Sequence, residues 1–231
     1  MASISRPFQE LAKVPVTKPI RNLAMKLAYR YTSLGTPVYP YIVEPIQLAA
    51  LVNEFERVSD IHGSILEIGV AWGMTTRFLC EHLVATGRTG ENFYAIDTFA
   101  SFTAQDVEFE IQHRGKTRVQ VSGFQYLDFE KWKKNFREFP FLTACKADCS
   151  TFDYASVAPI KLVFLDVDLY LPTLKALRRI YPLLTPGGVV LVDDVKQPCR
   201  WDGSYQAYIE FCTEIGISPQ VIGSKMGVVR K

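Results

Sequence analysis

Apolar residues along the chain fall into two patterns: short unbroken runs, and longer stretches with helical period. Residues 20–31 carry Leu23 and Leu27 with Ala24 and Ala28, a helical spacing that Gly35-Thr36-Pro37 closes. The segment 38–45, VYPYIVEP, is pinned by Pro40 and Pro45 and predicts a loop. Leu48, Leu51, Val52, Phe55 and Val58 then form one apolar stripe, with Ile46 just ahead, and predict a helix packed on a sheet. SILEI at 64–68 is a buried strand by length and flanking glycine, and Thr75, Thr76, Phe78, Leu79 and Leu83 return to helical period. A second strand at 92–96 ends in Asp97, thirty residues after Glu67, the length of one strand–helix–strand unit.

Residues 98–124 are polar, of mixed charge and without clean period, which predicts a functional segment such as a lid. Beyond them the pattern predicts a helix at 132–139, strands at 142–147 and 161–165, and a helix at 169–184. A turn at Pro186-Gly187-Gly188, a strand at 189–192 and a helix at 203–216 follow. Strands at 219–222 and 226–230 make a hairpin over Gly223-Ser224-Lys225. Repeated strand–helix alternation with a closing hairpin predicts an α/β fold: a mainly parallel sheet, helices on both faces. Residues 1–43 are expected to form an N-terminal helical arm or lid, and residues 44–231 a single domain.

Composition narrows the picture little. A net charge of +2 over 231 residues, with no cluster of basic and aromatic residues, gives no case for nucleic acid. No apolar run approaches a membrane span. Five cysteines without metal-type pairing read as reduced thiols of a cytoplasmic protein. The first thirty residues carry six basic side chains (Arg6, Lys13, Lys18, Arg21, Lys26, Arg30) against Glu10, a composition like that of a targeting segment. Pro15 and Pro19 interrupt any amphipathic helix there, which favours an arm covering the active site or a partner subunit.

Candidate chemistry centres on GSILEIGVAWGMTT, residues 63–76. A strand turning on glycine into a helix brings backbone N–H groups to a ligand. Here the corner reads acidic-x-Gly-x-x-x-Gly, through Glu67, Gly69 and Gly73, and not the G-x-G-x-x-G of dinucleotide sites. A pyrophosphate needs bare N–H groups and no anion beside them, whereas an amino-acid tail with a sulfonium tolerates a carboxylate. Glu67 therefore favours S-adenosylmethionine over a nicotinamide cofactor, with an ordinary strand–turn–helix corner as the plain alternative.

Acids end most of the expected strands: Glu67, Asp97, Asp148, Asp166 and the pair Asp193-Asp194. In open parallel sheets ligands bind outside those ends, so these charges would crowd one crevice and need cations or donors. Glu67, Asp97 and Asp148 suit the hydroxyls and amines of a cofactor, Asp97 in particular a ribose. Asp166, Asp193 and Asp194 suit a hard divalent ion such as magnesium, which would ease deprotonation of a substrate hydroxyl. A capped, solvated strand end is the plain alternative for Asp193-Asp194, and a simple turn for Asp148. His62, His82 and His113 read as surface or structural, with His113 alone inside the lid segment as a possible base.

The runs LEIGVAWGMTT, AIDTF and FLDVDLYLPTLKALRRIYPLLTPGGVVLVDDV resemble the class I S-adenosylmethionine-dependent methyltransferases, and more closely the macrocin and mycinamicin sugar O-methyltransferases. The resemblance covers about residues 44–216. It implies a Rossmann-like sheet and a cofactor site of Glu67, Gly69, Gly73, Thr75, Asp97, Thr98, Asp148, Cys149, Ser150 and Asp166. Within that site Gly69 and Gly73 approach the methionine part, Glu67 its amino group and Asp97 the ribose, with Asp148, Cys149 and Ser150 by the adenine. It further implies a magnesium site of Asp166, Asp193 and Asp194, a small-molecule acceptor carrying a sugar hydroxyl, and a homo-oligomer. Catechol-type relatives place a lysine base shortly after the first metal aspartate. Here Asp168, Leu169 and Tyr170 follow Asp166, leaving Asp166 and Asp168 as the catalytic candidates. A nicotinamide-dependent oxidoreductase and a non-catalytic scaffold of the same fold are the rival functions.

Overall fold

Parallel strands buried on both faces are largely apolar, and the two central ones follow this: Ile65, Leu66 and Ile68 in one and Leu162, Val163, Phe164 and Leu165 in the other are all at most 1% exposed, while Glu67 and Lys161 are their buried charged members. The computed structural model describes residues 17–33, 36, 39–125 and 128–231. The arm residues Arg6, Glu10, Lys13 and Pro15, the expected helix stop at Gly35 and Pro37, and Val38 lie outside the described residues. Two compact units are defined, 1–42 and 43–231. In the first, α1 (Lys18–Tyr31) has proline in its first turn and buries none of its residues.

The second unit runs α2 (Pro45–Arg57), β1 (Ser64–Ile68), α3 (Met74–Ala85), β2 (Phe93–Asp97), α4 (Ala104–Arg114), α5 (Phe129–Asn135) and β3 (Leu142–Lys146). It continues with β4 (Ile160–Leu165), α6 (Tyr170–Ile180), β5 (Leu184–Val192), α7 (Asp202–Glu214), β6 (Gln220–Ile222) and β7 (Met226–Arg230). The strand order is β3-β2-β1-β4-β5-β7-β6, parallel from β3 to β5, with β7 antiparallel to both β5 and β6. The order in which successive strands are added reverses between β1 and β4, which stay parallel, and that is the point where such sheets open a crevice. One core layer sets Leu66, Ile68, Val163, Leu165, Val190 and Val192 against Leu174, Leu177 and Ile180 of α6 and Tyr208 and Phe211 of α7.

Three expectations need correction. The lid segment contains a regular helix, α4, which apolar periodicity does not reveal because it buries acids: Asp106 bonds the Thr103 N-cap, and Glu110 pairs with Arg114 at 2.9 Å. The turn at Pro186-Gly187-Gly188 lies inside β5, because Gly187 N–H donates to Lys231 O (2.9 Å) and Lys231 N–H to Gly188 O (3.2 Å). The helix expected to reach residue 184 ends at Ile180, and Tyr181–Leu183 form a 3-10 turn around Pro182.

Candidate active site

The ends of the central strands are held level by backbone bonds that carry the parallel ladder one step further. Gly69 N–H donates to Ile96 O (2.9 Å), Asp166 N–H to Ile68 O (2.8 Å) and Asp193 N–H to Leu165 O (2.9 Å). Acids one residue beyond neighbouring strands are thereby brought to one edge. The backbone is strained along that same edge. Ala71, Phe99, Ser101, Asp168 and Asp194 all have left-handed φ, between 44° and 75°.

At the corner after β1 only glycine fits. A Cβ on Gly69 would lie 1.7 Å from Asp166 O, and one on Gly73 would lie 2.4 Å from the Phe136 ring. Gly73 starts α3 without a side-chain cap, so first-turn N–H groups are left for a ligand. Asp97 Oδ2 accepts from Val70 N–H (2.9 Å) and Ala71 N–H (3.3 Å), and Oδ1 from Phe99 N–H (2.7 Å), which locks the carboxylate against the corner. Glu67 is 1% exposed, and its Oε2 has no hydrogen-bond partner; the buried Thr76 Oγ1 and Ser150 Oγ lack partners as well. Burial raises the Glu67 carboxyl to about 8, with the neighbouring Thr76 opposing from outside full hydrogen-bond geometry and the charge of Asp97 adding. Buried, partnerless polar atoms beside a glycine cradle fit a ligand that brings an ammonium and hydroxyls.

The other cofactor candidates are placed less uniformly. Thr75 is half-buried on the first turn of α3. Thr98 is engaged in its own loop, donating to Ser101 O (2.6 Å) and accepting from Ala100 N–H (3.2 Å). Asp148 Oδ1 accepts from Ser150 N–H (2.8 Å) in a tight turn. The Cys149 thiol points into the core, and burial raises its pKa, so only its backbone is on offer.

At the ends of β4 and β5, carboxylate oxygens of Asp166, Asp168 and Asp194 lie within 4.8 Å of one another. This trio differs from the sequence-based set of Asp166, Asp193 and Asp194. Asp193 turns instead to Gln47 and Lys225: its Oδ1 accepts from Gln47 Nε2 (2.6 Å) and its Oδ2 from Lys225 Nζ (3.0 Å). Lys225 Nζ also donates to Asp194 Oδ1 (2.8 Å). Burial and the charges of their neighbours raise Asp166 and Asp168 well above the usual carboxylate range, and Asp193 is raised by burial and Asp194. Burial lowers Lys225, but Asp193 and Asp194 outweigh it and the net shift is upward. Three carboxylates at such spacing are a hard-ion donor set.

Gln47 and Lys225 are the residues that sequence reasoning missed. Gln47 carried a faint signal, a polar side chain between Ile46 and Leu48 on an apolar helix; Lys225 carried none, being one charged residue in a hairpin turn. A third missed feature is aromatic. Phe102 packs against Phe124 (5.6 Å between ring centres) and Trp201 (5.5 Å), and Ser204 N–H, on the helix turn after Trp201, donates to Asp168 O (3.3 Å). His113 lies exposed at the end of α4 with its ring against Phe109 (4.6 Å).

A sheet of this order with a glycine corner and acids at its carboxyl edge defines the class I S-adenosylmethionine-dependent methyltransferase fold. Within that class the chain belongs to the macrocin O-methyltransferase (TylF) family, whose sequence profile matches residues 30–222. It is 27% identical over 141 residues to 8-demethyl-8-(2,3-dimethoxy-alpha-L-rhamnosyl)-tetracenomycin-C 4'-O-methyltransferase of Streptomyces olivaceus. That alignment covers 58% of this chain and 53% of the relative, so the chain spans about half the length of that relative. Among solved structures, the O-methyltransferase NovP is similar with a TM-score of 0.66 at 18% identity, over 99% of both chains. The calicheamicin methyltransferase CalS11 gives 0.64 at 18% identity, over 98% of this chain and 91% of that one. Among the described residues, no helix is long and apolar enough to cross a membrane.

Proposed function

We propose that the protein is an S-adenosylmethionine-dependent O-methyltransferase that methylates a hydroxyl of a sugar or another small natural product with the help of a divalent cation. The observation that carries the reading is Glu67: a buried carboxylate oxygen without a donor, next to a corner that admits only glycine, calls for a cationic ligand such as an amino-acid ammonium. A nicotinamide cofactor would need the phosphate turn that the corner lacks.

When bound, the donor supplies an electrophilic methyl on a sulfonium, and the cation supplies positive charge that eases ionisation of a hydroxyl. The chain's own residues do the rest. Gly69 and Gly73 let the backbone approach the donor's amino-acid end while Glu67 pairs with its ammonium. Asp97, held rigid by three backbone N–H groups, is free to accept from ribose hydroxyls with its remaining lone pairs. Asp166, Asp168 and Asp194 would hold the cation. Whichever of Asp166 and Asp168 keeps an oxygen off the cation would take the acceptor's proton. The partly buried rings of Phe102, Phe124 and Trp201 offer an apolar wall to the acceptor. Alignment of donor and acceptor would supply most of the rate. The acceptor class follows the family and the rhamnosyl-tetracenomycin relative.

The test pairs Asp166→Asn with cofactor titration. The variant should lose at least about a thousandfold in turnover on a glycosylated acceptor while binding S-adenosylmethionine almost as well as the parent. Chelator should silence the parent in the same way, and undiminished turnover in excess chelator would remove the cation from the mechanism.

A further inference from the structure

Four acids, Asp166, Asp168, Asp193 and Asp194, share one end of the sheet, and Asp168, Asp193 and Asp194 are at most 8% exposed. Facing them is one lysine from a distant part of the chain. Lys225 sits in the turn between β6 and β7, its side chain 16% exposed, and bridges Asp193 and Asp194 at 3.0 and 2.8 Å. The placement is built from several sides. Lys225 O accepts from Val195 N–H (2.7 Å), which ties the hairpin turn to the residue after the two acids. Ser224 Oγ donates to Glu44 Oε1 (2.5 Å), which ties it to the start of α2. From α2 the Gln47 side chain reaches back to Asp193, while its Oε1 accepts from Glu44 N–H (2.8 Å). A flexible surface lysine would need none of this scaffolding.

We propose that Lys225 is a positioning residue whose ammonium is the resident cation of the acid cluster, fixing how much further positive charge the cluster takes up. The inference rests on the divalent-cation reading above. Once all four are ionised, the carboxylates of Asp166, Asp168, Asp193 and Asp194 facing one ammonium leave three formal negative charges. One divalent ion and one sulfonium together cancel them, so the lysine matches the site to a single metal beside a cationic donor. It also offsets repulsion among acids that would otherwise be packed together uncompensated. The cost is weaker affinity for the ion, because a fixed ammonium within a few ångströms repels it through a medium of low dielectric.

The experiment measures Mn2+ binding to the full chain by titration calorimetry, with thermal melts in chelator and in saturating Mn2+. Lys225→Met should bind Mn2+ about tenfold or more tightly than the parent, melt several degrees lower in chelator, and gain more from Mn2+ than the parent does. Lys225→Arg, which keeps the charge, should track the parent in both measurements. If the methionine variant does not fold, Lys225→Gln carries the same comparison. Equal or weaker Mn2+ binding by the neutral variant, or an unchanged gain in melting temperature, overturns the role of Lys225 alone. Absence of Mn2+ binding by the parent, or binding indifferent to Asp166→Asn, overturns the metal reading and this inference with it.

Discussion

Side chains at the carboxyl edge are held in states that stability alone would not select. Asp168 and Asp194 have φ of 64° and 57°, and Phe99 and Ala71 have 50° and 44°, where non-glycine residues each cost on the order of 1 kcal/mol or more. Glu67 is costly in another way. Its carboxyl is raised from the ordinary 4.5 to about 8 by burial, so at pH 7 the free protein holds it largely protonated. Because the folded value is the higher one, this residue's contribution to stability is greatest below pH 4.5 and is lost as pH rises toward 8. A ligand ammonium reverses the preference and favours the carboxylate. S-adenosylmethionine affinity should therefore strengthen between pH 6 and about 8, with proton release seen as a buffer-dependent calorimetric enthalpy. Glu67→Gln should flatten the profile and weaken binding by about tenfold or more; a pH-independent affinity in the parent would show that Glu67 does not meet the ammonium.

Among elements, the C-terminal hairpin links distant pieces of the chain. The Tyr208 hydroxyl on α7 lies within hydrogen-bond reach of both Gln220 O (2.7 Å) and Val228 O (3.0 Å) for its single proton, and accepts from Gln220 N–H (2.8 Å) and Val228 N–H (3.2 Å). One buried phenol thus satisfies backbone groups of both β6 and β7, and the turn between those strands carries Lys225. Tyr208→Phe should cost about 1–3 kcal/mol of stability in denaturant melts, by leaving those groups unpaired. It should also alter Mn2+ affinity through the loosened turn, and a variant as stable as the parent would remove the phenol from this role. The helix α4 teaches a related lesson about legibility. Its caps, Thr103 and Gly115, are readable in the sequence, but its inward face is polar because Glu110 reaches both Arg114 and the Tyr170 N–H (2.8 Å). Hydrophobic periodicity cannot report a helix whose buried contacts are ion pairs and hydrogen bonds.

At the scale of the whole molecule, the order β3-β2-β1-β4-β5-β7-β6 puts the β1 and β4 ends side by side, with donor residues on one flank and the acid cluster on the other. A ligand seated there touches several elements and should stabilise the fold as a unit. At one hundred times its dissociation constant, S-adenosylmethionine should raise stability by about 2.7 kcal/mol and the melting temperature by roughly 5–10 °C, while NAD leaves it unchanged. A shift with NAD alone would favour the oxidoreductase rival.

The strands, their parallel alternation with helices, the glycine corner and the acids at strand ends were all set by the sequence itself, since each depends on residues within one turn or one strand of each other. Burial of apolar runs and the φ freedom of glycine act locally, and their signals survive in the linear chain. Which acids would meet was a different matter. Asp168 joined Asp166 and Asp194 because both loops turn through left-handed backbone, and Asp193 was drawn to Gln47 and Lys225, residues 146 and 32 positions away along the chain. Charge acts through space, and only the folded sheet decides which charges face each other.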